Sequence, residues 1–177
     1  MQSVSVYLGL GSNMGDRSAS LAEAERRLNA ELDACVRAKS SAIETPAWGF
    51  DGEDFLNCVL RYDLPCDAFL RPLTRPIQSS DFSKQQALAL LDKVKGIEVA
   101  MGRAENIQYD AEGRRIYHSR IIDIDILFIG TQRFDLECLT VPHPLISQRD
   151  FVMRPLREIV TPELISAFPE IFGNLQP

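Results

Sequence analysis

The chain has 177 residues, a length that suits one domain with a buried core, and we expect residues 1–177 to form a single domain. Its formal net charge of -6 argues against the basic surface that general nucleic-acid or anionic-membrane binders need. The four cysteines lack the paired spacing of zinc sites, and no window has the composition of a membrane span or signal peptide. We therefore expect a cytoplasmic protein that binds neither nucleic acid nor membranes.

The first part of the chain predicts three strands and one helix. Apolar and polar residues alternate along each strand segment, whereas apolar residues in the helix segment lie three or four positions apart. Prolines, glycines and polar turns separate these segments. We predict a strand from Val4 that stops at 9–13, a helix capped by Asp16 or Ser18 with Leu21, Ala24, Leu28 and Leu32 buried, and strands over 36–45 and 55–64.

The rest of the chain predicts one more helix, one more central strand and a helical tail. Two prolines and a polar run predict an exposed insertion. Long polar loops beside phosphate sites often act as lids, so we expect the loop over 104–118 to be mobile when no ligand is bound. The other predicted segments are an insertion over 71–83, a helix over 84–101, a strand over 120–130, a short strand within 131–137, and helices over 151–160 and 162–172.

The order of the elements is βαββαβ, followed by the helical tail. This is the split βαβ, or ferredoxin-like, order. The predicted fold class is therefore α+β, with a largely antiparallel sheet, helices packed on it and a short helical C-terminal tail. No Walker A segment or G-x-G-x-x-G motif occurs, which argues against a P-loop or Rossmann nucleotide site.

The strand over 120–130 places two carboxylates side by side, because Asp123 and Asp125 point to the same face. Adjacent carboxylates in an apolar strand repel each other and lose hydration, a cost that a bound cation removes. Oxygen ligands favour Mg²⁺ before Ca²⁺, and Mg²⁺ usually accompanies a phosphorylated substrate. The two acids could also simply face water, and the short pattern leaves both interpretations open. The opposite face is predicted to carry Ile122, Ile124, Ile126 and Phe128.

Basic and hydrogen-bonding residues flank this strand on both sides. Arginine holds phosphate oxygens in a bidentate fork, so the group suits a phosphate site. Taken singly, each arginine is also compatible with a surface ion pair. His143 lies between two prolines in a rigid turn that fixes its direction. The flanking residues are Lys95, Arg103, Arg114, Arg115 and Arg120 before the strand, and Thr140, His143 and Arg149 after it.

Aromatic residues form a second group. Trp48, Phe50, Phe55 and Phe151 belong to it, and Asn57 lies beside Phe55. Most aromatic side chains belong to a core. A side-chain amide between flat apolar walls would also suit a planar heterocycle rich in hydrogen-bond donors and acceptors.

Seven short motifs occur in one order between about residue 4 and about residue 160. Each motif alone is weak, whereas the ordered set is specific. Together they resemble the 6-hydroxymethyl-7,8-dihydropterin pyrophosphokinase family of folate biosynthesis. The motifs are Gly11-Ser-Asn13, Thr45-Pro-Ala-Trp-Gly49, Phe55-Leu-Asn57, Gly102-Arg103, Arg120-Ile-Ile-Asp-Ile-Asp-Ile-Leu127, Thr140-Val-Pro-His143 and Arg149-Asp-Phe151.

The resemblance implies an enzyme that transfers the diphosphoryl group of ATP to the hydroxymethyl oxygen of 6-hydroxymethyl-7,8-dihydropterin and releases AMP. It implies that Asp123 and Asp125 hold two Mg²⁺ ions along the triphosphate, and that Arg103 and Arg120 complete the catalytic set. Whether either aspartate accepts the hydroxymethyl proton stays open. The implied partners are small-molecule substrates, and we expect a monomer.

The resemblance also implies two sets of substrate-binding residues. The pterin ring would stack between Phe55 and Phe151, with hydrogen bonds from Asn57 and from backbone near Thr45, and Trp48 would close the pocket. The implied pterin set is Thr45, Pro46, Trp48, Phe55, Asn57 and Phe151. The implied nucleotide set is Glu98, Arg103, Tyr117, Arg120, Ile126, Thr140, His143 and Arg149, in which Ile126 is an apolar neighbour of the adenine.

The chain departs from the family pattern just before the acidic strand. Ile116-Tyr-His-Ser-Arg120 stands where many relatives have Arg-Trp-Gly-Pro-Arg, so Tyr117 replaces a tryptophan. The loop is also longer than in compact relatives, and Arg114 and Arg115 would have to supply the charge that its start lacks. A catalytically weak pterin- and nucleotide-binding protein of the same fold is therefore the alternative. An unrelated D-x-D enzyme, such as a nucleotide-sugar transferase, would explain the aspartates but not the aromatic group.

Overall fold

The computed structural model describes residues 3–69, 81–103, 108–109, 115–116 and 118–173. Most of the predicted insertion and of the predicted lid, with Arg114 and Tyr117, lies outside the described residues. The elements are β1 (Ser3–Ser12), α1 (Arg17–Leu32), β2 (Ala38–Lys39), β3 (Ile43–Thr45), β4 (Phe55–Pro65), α2 (Lys84–Ala100), β5 (Gln108–Tyr109), β6 (Arg115–Ile116), β7 (Asp123–Ile129), β8 (Phe134–Leu136), β9 (Leu139–Val141), a 3-10 turn (Ile146–Gln148), α3 (Asp150–Ile159), α4 (Pro162–Ala167) and α5 (Pro169–Phe172).

The main sheet is antiparallel, with the strand order β2-β4-β1-β7 and with β3 also paired to β4. A βαββαβ chain forms this order when the two strands joined by each helix are separated in the sheet by one other strand. The predicted α+β, ferredoxin-like class is therefore confirmed. The first strand ends within the predicted segment 9–13, because β1 pairs with β4 as far as Ser12 opposite Leu56. No helix among the described residues is long and apolar enough to cross a membrane.

Helices α1 and α2 cover one face of the sheet. The predicted cap of α1 is confirmed at Asp16, whose side chain accepts a hydrogen bond from the Ala19 N–H. Helix α2 begins with a capping box in which Ser83 and Gln86 satisfy each other's backbone N–H groups. The four apolar residues predicted for α1 are all buried against the sheet: Leu21, Ala24, Leu28 and Leu32.

The helical tail covers part of the opposite face. Side chains of α3 and α4, among them Leu156 and Leu164, pack there with Tyr7 and Val59 of the central strands. The segment predicted as one helix over 162–172 is divided into α4 and α5. Pro169 causes the division, because proline disfavours helical backbone at the residue before it and lacks an N–H to donate.

The prediction that Phe128 shares a face with Ile126 is wrong. Tyr7 pairs with Phe128 and Leu8 with Ile126, so Leu127 is the extra residue of a β-bulge. The bulge turns Phe128 to the face that the helical tail covers, where its ring lies 5.1 Å from the Phe168 ring, centroid to centroid. Ile126 stays in the core beneath α1 and α2.

The segment predicted as one strand over 36–45 forms two short strands, β2 and β3. Lys39 pairs with Leu60 but Ile43 pairs with Asn57, so one additional residue lies between the two pairings. The buried Ser40 occupies this interruption, and its hydroxyl accepts a hydrogen bond from the Val59 N–H at 2.8 Å. A side-chain oxygen thus replaces a backbone acceptor of the ladder.

Candidate active site

On the second sheet face, beyond the helical tail, β1 forms a floor without side chains. Gly11 of β1 pairs with Asp123 of β7, and Gly9 pairs with Asp125. Directly opposed residues of an antiparallel pair point to the same face, so the backbone of β1 lies beside the two carboxylates. Both aspartates keep part of their surface exposed, 26% for the Asp123 side chain and 32% for that of Asp125.

A cleft that opens to solvent lies above this floor. The structure brings all six residues of the expected pterin set to the cleft, together with four of the expected catalytic and nucleotide residues. The ten are Thr45, Pro46, Trp48, Phe55, Asn57, Phe151, Arg120, Asp123, Asp125 and Arg149.

Aromatic rings form two walls of the cleft. On one side the rings of Trp48 and Phe151 lie 6.4 Å apart, and the Arg149 guanidinium lies 5.2 Å from the Trp48 ring and 5.7 Å from the Phe151 ring. On the other side Phe50 meets Phe55 edge to face at 6.2 Å. Flat apolar surfaces on both sides suit a planar ring, and Arg149 ties one wall to the acidic strand.

Asn57 supplies a buried amide between these walls. It is 6% exposed, and its Nδ2 donates a hydrogen bond to Thr45 Oγ1 at 2.9 Å across the β3–β4 pair. That bond holds the amide in place beside Thr45. The pair therefore presents an anchored polar group inside an apolar cleft.

Asp123 lies in a chain of charged contacts. Its Oδ1 accepts from Arg103 Nη1 at 2.6 Å and its Oδ2 from Arg120 Nη1 at 3.0 Å. Arg103 also pairs with the buried Glu98, whose Oε1 accepts a hydrogen bond from the Ile124 N–H at 2.8 Å. Glu98 thus anchors Arg103 to the acidic strand, although it does not line the cleft.

Asp125 faces a different pair of residues. Its Oδ2 accepts from Arg149 Nη1 at 3.2 Å and lies 4.0 Å from His143 Nε2. Burial and the nearby Asp123 carboxylate raise the pKa of Asp125, and burial together with Arg149 lowers the pKa of His143 to about 4. His143 Nδ1 accepts from the Leu145 N–H, so a neutral imidazole carries its proton on Nε2, the nitrogen nearer Asp125.

Among the residues that the structure describes, the charges of this network leave no surplus positive charge for a triphosphate. Three arginines contact three acids, and burial raises the pKa of Glu98, which indicates that carboxylate charge is incompletely compensated there. No group of three or more His, Cys, Asp or Glu among the described residues is arranged to hold a metal. Two carboxylates nevertheless fit Mg²⁺, which commonly takes its remaining oxygens from water and substrate phosphates.

Two residues of the expected nucleotide set, Arg120 and Arg149, line the cleft. Glu98, Arg103 and His143 lie beside the acidic strand without lining the cleft. Ile126 is buried in the core on the opposite face of the sheet, so its side chain is turned away from the aspartates. Thr140 lies exposed in β9. Tyr117 lies outside the described residues.

The sequence interpretation gave no role to three residues at the end of β1. Gly9 and Gly11 form the floor of the cleft, and alternate glycines within a strand are a signal of close approach by a ligand. Asn13 is 1% exposed and hydrogen-bonds to two loops beside the cleft. The sequence does not show that Asn13 is buried, so it gave no signal for this bridge.

Comparison with known proteins assigns the family. Residues 7–161 match the family described as 7,8-dihydro-6-hydroxymethylpterin-pyrophosphokinase. The chain therefore belongs to this family, and the resemblance expected from the motifs is confirmed.

Curated relatives agree with this assignment. The 2-amino-4-hydroxy-6-hydroxymethyldihydropteridine pyrophosphokinase of Aquifex aeolicus is 34% identical over 155 residues, which cover 87% of this chain and 79% of that protein. The enzyme of the same name from Methylorubrum extorquens is 35% identical over 161 residues, 90% of this chain and 84% of that protein. The mitochondrial folate synthesis bifunctional protein of Pisum sativum is 33% identical over 159 residues, 90% of this chain but 26% of that longer protein.

The activity follows from the family. The protein transfers the diphosphoryl group of ATP to the hydroxymethyl oxygen of 6-hydroxymethyl-7,8-dihydropterin and releases AMP, a step of folate biosynthesis. The comparisons do not favour a catalytically weak binding protein.

Proposed function

We propose that the cleft binds the pterin between its aromatic walls and binds ATP with Mg²⁺ at Asp123 and Asp125. One observation carries this proposal: the aromatic residues and the two aspartates line the same continuous cleft. An acceptor ring held between Phe55 and Phe151 would therefore have its hydroxymethyl group within the same space as the ATP phosphates.

On the pterin side, the proposed contacts are stacking and directed hydrogen bonds. Asn57 and the backbone near Thr45 would satisfy the ring's donors and acceptors, while Pro46 and Trp48 would exclude water from above. The Asn57–Thr45 hydrogen bond supports this role, because it orients the amide before the ligand arrives.

On the phosphate side, the proposed roles are electrostatic. Two Mg²⁺ ions, held by Asp123, Asp125 and phosphate oxygens, would neutralise charge on both sides of the transferred group. Arg103 and Arg120 would exchange part of their contact with Asp123 for phosphate oxygens, and Arg149 and the Nε2–H of His143 would donate to phosphate near Asp125. The balanced charge of the network supports a requirement for added cations.

The remaining assignments stay within the same proposal. Glu98 would act by holding Arg103, and Ile126 would approach the adenine through its main chain rather than its side chain. Tyr117 and Thr140 complete the proposed nucleotide set. We further propose that residues 1–177 form one domain and that the enzyme acts as a cytoplasmic monomer.

A turnover assay with product identification tests this function. Purified protein, ATP, Mg²⁺ and 6-hydroxymethyl-7,8-dihydropterin should yield AMP and the pterin diphosphate in equal amounts, and excess EDTA should stop the reaction. Trp48 is the single tryptophan of the chain and lines the cleft, so its fluorescence should change when pterin binds. Formation of ADP instead of AMP, or equal turnover with EDTA, would contradict the proposal.

A further inference from the structure

The carboxamide of Asn13 is buried between two loops and hydrogen-bonds to both. Its Nδ2 donates to the Glu53 carbonyl at 3.1 Å and to Ser119 Oγ at 3.0 Å. Its Oδ1 accepts from the Arg120 N–H at 2.7 Å, and the Asn13 N–H donates to the Arg120 carbonyl at 3.2 Å. One residue at the end of β1 thus connects segment 118–120 with segment 51–54.

The two connected segments carry different parts of the cleft. Segment 51–54 leads directly into Phe55, which forms one aromatic wall. Segment 118–120 ends at Arg120, whose guanidinium reaches Asp123 at 3.0 Å. A shift of the Asn13 carboxamide would therefore move the phosphate-side arginine relative to the pterin-side wall.

We propose that Asn13 is a positioning residue, whose carboxamide holds Arg120 in register with the pterin pocket for diphosphoryl transfer. The proposal rests on the function proposed above for the cleft. Removal of the amide leaves the Arg120 N–H and the Glu53 carbonyl without this partner, so both segments gain freedom. Misplacement of a reacting group by about 1 Å can cost roughly a hundredfold in rate. The effect should therefore fall on kcat more than on pterin affinity, because Phe55 stays paired with Thr45 in the β3–β4 ladder and Asn57 keeps its hydrogen bond to Thr45.

The first test compares two asparagine variants. Asn13→Ala should lower kcat by about ten- to a hundredfold, while the Kd for 6-hydroxymethylpterin, measured from Trp48 fluorescence, changes less than about threefold. Asn29→Ala is the matched control, since Asn29 Oδ1 accepts from the Tyr62 hydroxyl at 2.9 Å on the other face of the sheet. That variant should lower thermal stability but keep kcat within about twofold. An equal loss of kcat in both variants would overturn the proposal.

A double-mutant cycle separates positioning from a general loss of structure. If Asn13 acts through Arg120, Asn13→Ala should cost less than about threefold in kcat once Arg120 is already alanine. Fully additive losses would show that Asn13 does not act through Arg120, and would overturn the proposal.

Two further measurements keep the test decisive. If Asn13→Ala fails to fold, Ser119→Ala replaces it in the double-mutant cycle with Arg120→Ala. Ser119 is exposed, and in this contact its hydroxyl accepts a hydrogen bond from the Asn13 amide. Hydrogen exchange of the Arg120 amide is measured without turnover: it should be protected in the unmodified protein and at least about tenfold faster in Asn13→Ala. Absence of AMP formation by the unmodified protein would refute the function of the cleft, whereas unchanged exchange would refute the Asn13 bridge.

Discussion

Gly11 and Asn57 approach each other so closely that a Cβ at position 11 would lie 2.8 Å from Asn57 Oδ1. The two residues are paired across β1 and β4, and both point into the cleft. The amide of Asn57 can therefore occupy its position only because residue 11 has no side chain. The backbone of one strand thereby shapes the proposed pterin site on the next.

Gly11→Ala tests this relationship. The added methyl group must displace the Asn57 amide, which is held by Thr45 Oγ1, so we expect the KM for pterin to rise about tenfold or more. The KM for ATP should change much less, because the atoms nearest to the added Cβ belong to Asn57 and Phe55 on the pterin side. Steady-state kinetics with each substrate varied in turn measures both constants, and a larger effect on ATP than on pterin would contradict the expectation.

Gly96→Ala should stabilise the protein and leave the site unchanged, because a Cβ at this position meets nothing within 4 Å. Gly96 lies exposed within α2, where glycine costs roughly 0.5–1 kcal/mol relative to alanine. We expect the free energy of unfolding in urea to rise by about that amount, with kinetics unchanged. A fall in stability would show that the helix needs glycine at this point for a reason outside its described contacts.

The buried Cys58 should make stability fall in alkaline solution. Burial raises the pKa of its thiol from 9.0 to about 11, so the folded protein keeps a proton that the unfolded chain releases. Between these values the unfolded state binds fewer protons, and the free energy of unfolding falls as pH rises, by at most about 2–3 kcal/mol. Cys58→Ala should reduce this decline between pH 8 and pH 10.5 in urea titrations. Parallel curves for the two proteins would refute the assignment, since the buried Tyr62 is present in both and cannot by itself produce a difference between them.

The sequence predicted the fold well where one face of an element is buried and the other is wet. Helix α1 is such a case, since its apolar stripe and its Asp16 cap both follow from local chemistry. The bulge at Leu127 could not be predicted, because residues 126–129 are all apolar and fit either face of the sheet. Only the docking of α3–α5 explains why Phe128 faces the tail.

Part of the candidate site could likewise be predicted from the sequence, and part of it could not. The motif residues that the sequence singled out for the pterin do line one cleft, because the end of β3, the start of β4 and the start of α3 meet there. The position of Arg149 between Trp48 and Asp125 depends on how α3 packs, and no spacing in the sequence predicts it. The bridging contacts of Asn13 likewise exist only once two distant loops have met.

Removal of the charge from each aspartate tests the account most directly. Asp123→Asn and Asp125→Asn keep the shape of the side chain but weaken its hold on a cation, so AMP formation with ATP, Mg²⁺ and pterin should fall by roughly a thousandfold in each. Pterin binding followed by Trp48 fluorescence and the urea unfolding transition serve as controls, and both should stay close to those of the unmodified protein. Near-normal AMP formation in both variants would contradict the assignment of the acidic strand as the Mg²⁺ and phosphate site.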